Sequence, residues 1–530
     1  MYSILPFVFL ASGLAHTEET VGHQDWQQQD AAAYDSLWTT QTNKTEEPRK
    51  CCKALENAGL AHRILYPGSE AYTARTTSYW SLAAQLEPTC IIQPLTAEEV
   101  SLTVVTLVTA NKSSQCHFAV RSGGHTTWAG AAGIENGVTV DLGFMNSTAY
   151  YAENSTAAVQ PGARWNSVYS TLDKFGVAVA GGRAGNVGVA GLILGGGNSF
   201  YAGRKGLVCD NVANFQVVLG SGEIVDANPT TNSDLFKALK GGSNNFGIVT
   251  RFDLIAFEAT KIWGGLVVYP NDTTLAHLEA VKNFADRVED DPYASVIGIW
   301  QYMSHNDATI IIEAYDYTRE VERPKAYNEF LAIPGNFSDS MRFTNMTDLA
   351  NELEQPSGYR DSFFTLTFKN DIRMYKKAIE IHNRYVDDIK AADPSGNWIL
   401  QDTFQPFPPL FAKHSIEKGG NVLGLDRFDE PLVLWQTYLA WQSPSQDDIF
   451  HSFGESFIRE LKEYAIGIGA DNEYVYLDYA YKSQDSLASY GKANLEHMNT
   501  VAEKYDPDRV FQTQVPGGFK LSLAGDPIGP

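Results

Sequence analysis

The chain has 530 residues, of which 44% are hydrophobic and 12% aromatic, enough apolar material for an extensive core shared by two or three domains. Its formal net charge of -23 repels phosphate backbones and anionic lipid, so nucleic-acid and membrane-surface binding are excluded as primary functions. No segment is long and apolar enough to read as a transmembrane helix.

At the N-terminus an apolar run, Ile4 to Leu10, is followed by the small-residue stretch Ala11-Ser-Gly-Leu-Ala15. This reads as a signal peptide over residues 1–15, although a basic leading segment is missing. Residues 16–48 form a polar leader. Seven N-x-[ST] sequons, at Asn43, Asn111, Asn146, Asn154, Asn271, Asn336 and Asn345, agree with a secreted, glycosylated product. The five cysteines include no C-x-x-C pair, so neither a zinc site nor thioredoxin-type chemistry is expected. In an oxidising compartment Cys51 and Cys52 are expected to pair with Cys90 and Cys116, in an order that the sequence leaves open. Cys209 remains as a buried thiol.

From Thr96 an N-cap residue opens a helix carrying Val100, Val104, Val105 and Val108. Strands follow over His117–Arg121 and Gly137–Leu142, and a strand, turn and strand from Phe215 to Val225. The region from 256 to 468 reads differently, with longer strands (Thr309–Tyr315, Leu432–Trp441) and long helices (Asp371–Ala391, Asp447–Tyr464). That alternation predicts an α+β unit whose sheet is covered by helices. A last helix is expected over Ser489–Lys504.

Three glycine-rich segments carry the chemistry. In Arg121-Ser-Gly-Gly-His125-Thr-Thr-Trp-Ala-Gly130, consecutive glycines let backbone N–H groups converge on an anion such as a diphosphate. In Val187-Gly-Val-Ala-Gly191-Leu-Ile-Leu-Gly195-Gly-Gly197, glycines within an apolar run allow backbone to lie against a flat ring. This is not a GxGxxG motif opening a helix, so a Rossmann reading is not favoured. The third segment, Asp234 to Val249, reads as short helix, glycine loop and strand.

These segments resemble the berberine-bridge-enzyme-like branch of the vanillyl-alcohol-oxidase/PCMH superfamily of FAD-linked oxidases. Tyr476-Leu-Asp-Tyr479, Tyr490-Gly-Lys-Ala-Asn494 and Lys504-Tyr-Asp-Pro507 resemble the family's closing motifs, and Pro516-Gly-Gly-Phe-Lys520 its secreted fungal members. The resemblance implies an α+β fold: a PCMH-type FAD domain of two α+β subdomains over 49–255 and a substrate domain with an antiparallel sheet over 256–468. Residues 469–530 would return to the FAD domain. It implies FAD bound covalently through His125, with Arg121, Ser122, Gly123, Gly124, Thr126, Val187, Gly188, Gly191, Gly195, Gly196, Val249 and Asn494 around it. Some members add a cysteinyl link three residues before the valine matching Val187; Ala184 stands there, so a single histidyl tether is implied. Where the family commonly reads Asn-Tyr, this chain has Asp478-Tyr479.

The implied activity is a secreted monomeric oxidase that moves a hydride from a small secondary-metabolite substrate to FAD and the electrons to O2, giving H2O2. Tyr479 is the candidate base, and Asp478, by strand alternation, is expected to point away from it. The wall opposite the flavin is expected to draw on Trp300, Tyr302, Tyr315, Phe363, Phe364, Trp435, Tyr438 and Trp441. Two rival readings stand beside this one. A carbohydrate oxidase of the same fold predicts an open groove of Trp and Tyr, and a flavin-less secreted binding protein predicts no colour at all.

Overall fold

The computed structural model describes residues 47–394 and 396–525. The expected signal peptide, most of the polar leader and the Asn43 sequon lie outside the described residues. Three sheets organise the rest, and they follow one another along the chain.

The first sheet has four strands: β1 (Ile64–Leu65), β2 (Cys90–Ile92), β3 (Phe118–Arg121) and β4 (Val138–Asp141), in the order β1-β2-β4-β3. β4 runs parallel to both β2 and β3. The Ala97–Asn111 helix supplies the crossover between β2 and β3. Its N-cap is Thr96, whose hydroxyl accepts from Glu99 N–H at 3.2 Å. Val100, Val104 and Leu107 on this helix are fully buried against β2–β4, whereas Val105 lies 39% exposed on the opposite side.

The second sheet comprises β5 (Thr148–Tyr151), β6 (Thr156–Val159), β7 (Val177–Val179), β8 (Val212–Val218), β9 (Ile224–Ala227) and β10 (Ile248–Glu258). Long β10 pairs antiparallel with β6, β7 and β8 and forms its centre. The third sheet has eight antiparallel strands: β11 (Ile262–Pro270), β12 (Ala294–Met303), β13 (Ala308–Tyr317), β14 (Ser338–Asp339), β15 (Arg342–Thr344), β16 (Arg360–Lys369), β17 (Ile399–Phe407) and β18 (Leu432–Trp441). Its order is β14-β11-β13-β12-β17-β18-β16, with β15 also paired to β11. The α+β architecture is as expected, and the strand over Leu432–Trp441 falls where its pattern placed it.

One face of the third sheet carries the helices Thr274–Ala285, Ile372–Ala392 and Asp447–Ile468. Asp371 caps the second of these through Arg373 N–H at 2.9 Å. The tryptophans expected on the cavity side are found on this helix side instead. Trp435 packs on Phe457, Trp441 stacks on Phe450 at 4.9 Å, and Trp300 donates to Thr274 Oγ1 at 3.0 Å. Tyr302, Tyr315 and Phe364 join the same core. Side chains alternate along a strand, and the face covered by helices takes the apolar bulk. Only Phe363 of the eight expected aromatics lines the cavity on the other face, with Tyr438 packed behind it at 5.3 Å.

Two disulfides, Cys51–Cys116 and Cys52–Cys90, settle the pairing and fasten the Glu47–Leu55 helix to the first sheet. Cys209 is free and buried, as expected. The Cys52–Cys90 link spans 38 residues of sequence. Replacing both cysteines by Ala therefore lowers stability by about 3–4 kcal/mol through the freedom returned to the unfolded chain. Denaturant midpoints of the double variant at unchanged slope check this value.

Candidate functional site

A cavity opens between the glycine-rich segments, the C-terminal segment and the bare face of the third sheet. The glycine segments meet through bare backbone. A Cβ added to Gly123 would stand 2.6 Å from Gly188 Cα, and one added to Gly188 would stand 2.5 Å from Gly123 N. No side chain fits there, which explains why glycine occupies both positions. Arg164 stitches the junction, donating to Gly123 O at 2.8 Å and to Asn186 O.

Ser122, Gly123, Gly124, His125 and Thr126 line the cavity on one side, and Val187, Gly188, Gly191 and Val249 on another. Gly124 adopts φ +68°, the left-handed region in which glycine is unstrained. The N–H groups of Gly123, Gly124 and Thr126 donate to no described residue. Trp80 braces this loop from behind. Its N–H donates to Gly124 O at 3.0 Å, and its indole stacks on the His125 ring with centroids 4.3 Å apart. Burial, with the positive charge of Arg164, holds His125 at about 4. The imidazole is therefore neutral at physiological pH, with a nitrogen lone pair available.

Four expected residues stand outside the cavity lining. Arg121 turns inward, donating to Arg75 O at 2.6 Å and Ser78 Oγ at 2.9 Å, with its guanidinium 3.7 Å from the Tyr79 ring centroid. Its place is to hold the preceding loop. Gly195 and Gly196 end the Val189–Leu194 helix and pack against Asp478 and Leu423. Asn494 donates to Tyr490 O at 3.1 Å and borders a separate small hollow with Lys237 and Asn421.

Tyr479 and Asp478 do not alternate along a strand. Leu477–Tyr479 is a single 3₁₀ turn, so Tyr476, Leu477, Asp478 and Tyr479 all reach the cavity. The expectation that Asp478 points away is corrected on this ground, since a 3₁₀ turn has three residues per turn rather than the two-residue period of a strand. Asp478 Oδ2 accepts from Gly197 N–H at 3.2 Å, and exclusion of water pushes its carboxyl up to about 7. Tyr474 and Tyr481 are buried in the core away from the cavity.

Opposite the glycine loops, the third sheet presents a polar wall: Gln401, Thr403 and Gln405 from β17 and Gln436 from β18, beside Ile297, Ile299 and Phe363. In the ladder Ile299 faces Thr403 and Thr403 faces Gln436, so one rung crosses the wall. Arg183, in the turn after β7, reaches the same wall. Its Nη2 donates to Gln405 Oε1 at 2.5 Å and to Tyr479 Oη at 2.8 Å. Sequence reasoning missed Arg183 and the glutamines. The alternating polar positions Gln401, Thr403 and Gln405 were a visible signal, whereas a lone arginine in a glycine turn was not.

Neutral imidazole, unengaged backbone N–H groups and side-chain-free backbone together fit a flavin dinucleotide. A model of the FAD binding domain matches residues 88–228. The chain is 44% identical to the FAD-dependent monooxygenase sdcF of Emericella nidulans, over 89% of this chain and 98% of that protein. Its fold matches the glucooligosaccharide oxidase of Acremonium strictum, which carries a 6-S-cysteinyl, 8α-N1-histidyl FAD, with TM-score 0.70, 20% identity, and coverage of 88% and 98% of the two chains. A berberine bridge enzyme variant, described as a reticuline dehydrogenase, matches with TM-score 0.67 and 15% identity over 87% of this chain and 97% of that one. The chain shares the fold of the berberine bridge enzyme, and it belongs to the family of fungal FAD-dependent monooxygenases that includes sdcF and is an FAD-dependent oxidoreductase.

Proposed function

We propose that the protein is a secreted oxidase that holds FAD covalently through His125 and oxidises a small organic substrate with O2 as electron acceptor. The single observation that carries this reading is the neutral His125 imidazole, braced by Trp80 inside a loop whose N–H groups point to no protein acceptor. Residues 49–255 would then hold the cofactor, residues 256–468 the substrate, and 469–530 would close the site. When bound, the flavin supplies two-electron oxidation of a C–H bond next to oxygen or nitrogen and passes the electrons to oxygen. Ala184 stands where a second, cysteinyl attachment would arise, so His125 is the sole tether.

Tyr479 is the proposed base, its phenolate taking the substrate's hydroxyl proton onto Oη and becoming the neutral phenol while the substrate oxygen takes up the negative charge. Arg183 donates to that oxygen of Tyr479 and holds it in place for the transfer. Gln405 lies 3.5 Å away and fixes the direction of the phenol. The wall of glutamine and threonine orients a hydroxylated substrate by hydrogen bonds. That wall itself presents Phe363 as its aromatic side chain, while Trp128, Tyr476 and Tyr479 line other parts of the cavity. The disulfides and the exposed sequon residues Asn146, Asn154, Asn271 and Asn336 support passage through the secretory pathway.

Acid-precipitated wild-type protein is expected to stay yellow, whereas His125→Ala releases all its flavin to the supernatant. Colourless wild-type precipitate overturns the covalent reading. Tyr479→Phe is expected to keep its flavin and lose about 10²–10⁴ in kcat. Stoichiometric peroxide, without transfer of labelled oxygen into product, distinguishes an oxidase from a monooxygenase.

Asp478 adds a pH dependence. The unfolded carboxyl loses its proton near about 3.9, the folded one at about 7. The stability that comes with the bound proton is complete below the lower value and is lost as pH rises through the upper one. Asp478→Asn has no such proton to lose, so it gains on wild type between those values by at most about 4 kcal/mol and levels off above them. Denaturation midpoints of both proteins across this range test the sign; a pH-independent difference contradicts it.

A further inference from the structure

Arg183 is the one lysine or arginine among the described residues lining the cavity, and no carboxylate of a described residue lies within ion-pair distance of it. Both of its hydrogen bonds leave from Nη2, and they end on Gln405 Oε1 and Tyr479 Oη. Nε and Nη1 donate to no described residue. Asp316 is an acid whose field reaches the guanidinium, but burial and Glu352 push that carboxyl well up toward its neutral form. Asp478, the one carboxylate on the cavity lining, is engaged by Gly197 N–H.

The surrounding wall is uncharged yet hungry for partners. Gln436 is 6% exposed and its Nε2 has no hydrogen-bond partner, while Gln401 spends one donor on Thr403 at 3.2 Å. A half-buried guanidinium facing apolar and amide groups is costly unless an anion completes it. Its planar fork is suited to two parallel bonds with a carboxylate, or one strong bond with a phenolate.

We propose that the substrate of this site carries an oxyanion, a carboxylate or an ionised phenol, which binds the free edge of Arg183 with Gln436 donating beside it. This inference rests on the cavity being the substrate site, as proposed above, and concerns substrate class rather than flavin attachment. The anion replaces no bond that Arg183 already makes, because Nε and Nη1 are free. The reacting carbon is then held at a fixed offset from a charged end, and neutral sugars or alcohols lacking that end lose their orientation.

Isothermal titration of the isolated protein with model probes tests the proposal without turnover. Benzoate is compared with benzamide, and 4-nitrophenolate, at a pH where it is ionised, with nitrobenzene. At least one anion is expected to bind about tenfold or more tightly than its neutral counterpart. The pair that shows the preference names the group. In Arg183→Gln the preference is expected to collapse with flavin content unchanged. Should that variant not fold, Arg183→Lys keeps the charge without the fork and is expected to lose most of a carboxylate preference. Failure of both anions to outbind their neutral partners, a preference that survives in Arg183→Gln, or loss of flavin from that variant each overturns the proposal. Colourless wild-type protein that still selects the anion would instead overturn the flavin reading alone.

Discussion

The contact between Gly123 and Gly188 is the constraint on which the site depends. Two loops from different parts of the chain touch through bare backbone, closer than any Cβ permits. That contact brings the His125 loop, which follows β3, against the Val187–Leu194 segment, which follows β7. Arg164 holds the junction by donating to a carbonyl on each side. The cost of two glycines and a half-buried arginine is structural. Its return is a cavity wall made of N–H groups and a histidine, with no side chains crowding the space.

The opposite wall obeys a different rule. β16, β17 and β18 each have one face under helices and one face on the cavity, so every polar position on the cavity side alternates with a core position. Along β17, Leu400, Asp402 and Phe404 face the helices, and Gln401, Thr403 and Gln405 face the cavity. Even Asp402 is accommodated on the helix side, by His382 Nδ1 at 3.1 Å, and Glu313 is met likewise by His277 at 2.9 Å. Such buried pairs cost less than either group alone. Gln436 Nε2 has no such partner, and an unsatisfied buried donor costs about 1–3 kcal/mol. Because Gln436 lines the cavity, a water or a ligand there can satisfy this donor.

Much of this was legible from the residues. β13 and β18, the capped helices after Thr96 and Asp371, and the three glycine segments follow from period and turn chemistry, and the free Cys209 follows from cysteine count. What failed has a separate cause in each case. The turn Leu477–Tyr479 has no glycine or proline to mark it, so a run of alternating aromatics looked like strand and misplaced Asp478. The tryptophans of β18 were correctly paired on one face but assigned the wrong one, because alternation fixes which residues share a side and not which side meets the helices. Arg121 looked like a cofactor residue by position in its motif, yet its chain direction at the end of β3 sends it back toward Arg75 and Ser78. Arg183 carried no signal, since only the third sheet, more than 200 residues downstream, gives it Gln405 as a partner.

The charges of the cavity then form a coherent set. A charge in a water-poor space acts over a longer range than at the surface, so a few groups decide what enters. Here His125 is neutral, Asp478 holds its proton up to about pH 7, and Arg183 supplies the guanidinium. The acidic exterior, with its net charge of -23, repels anions at long range, so the interior does not gather them by steering. On the proposal made above, selection then happens by contact, at the free edge of the guanidinium that Gln405 holds. The same guanidinium touches Tyr479 Oη, so on the two proposals made above recognition of the substrate's charged end is tied to the group that would take its proton. Binding and proton transfer would then be joined through a single side chain, and a ligand that does not engage Arg183 would leave Tyr479 facing an unoriented substrate.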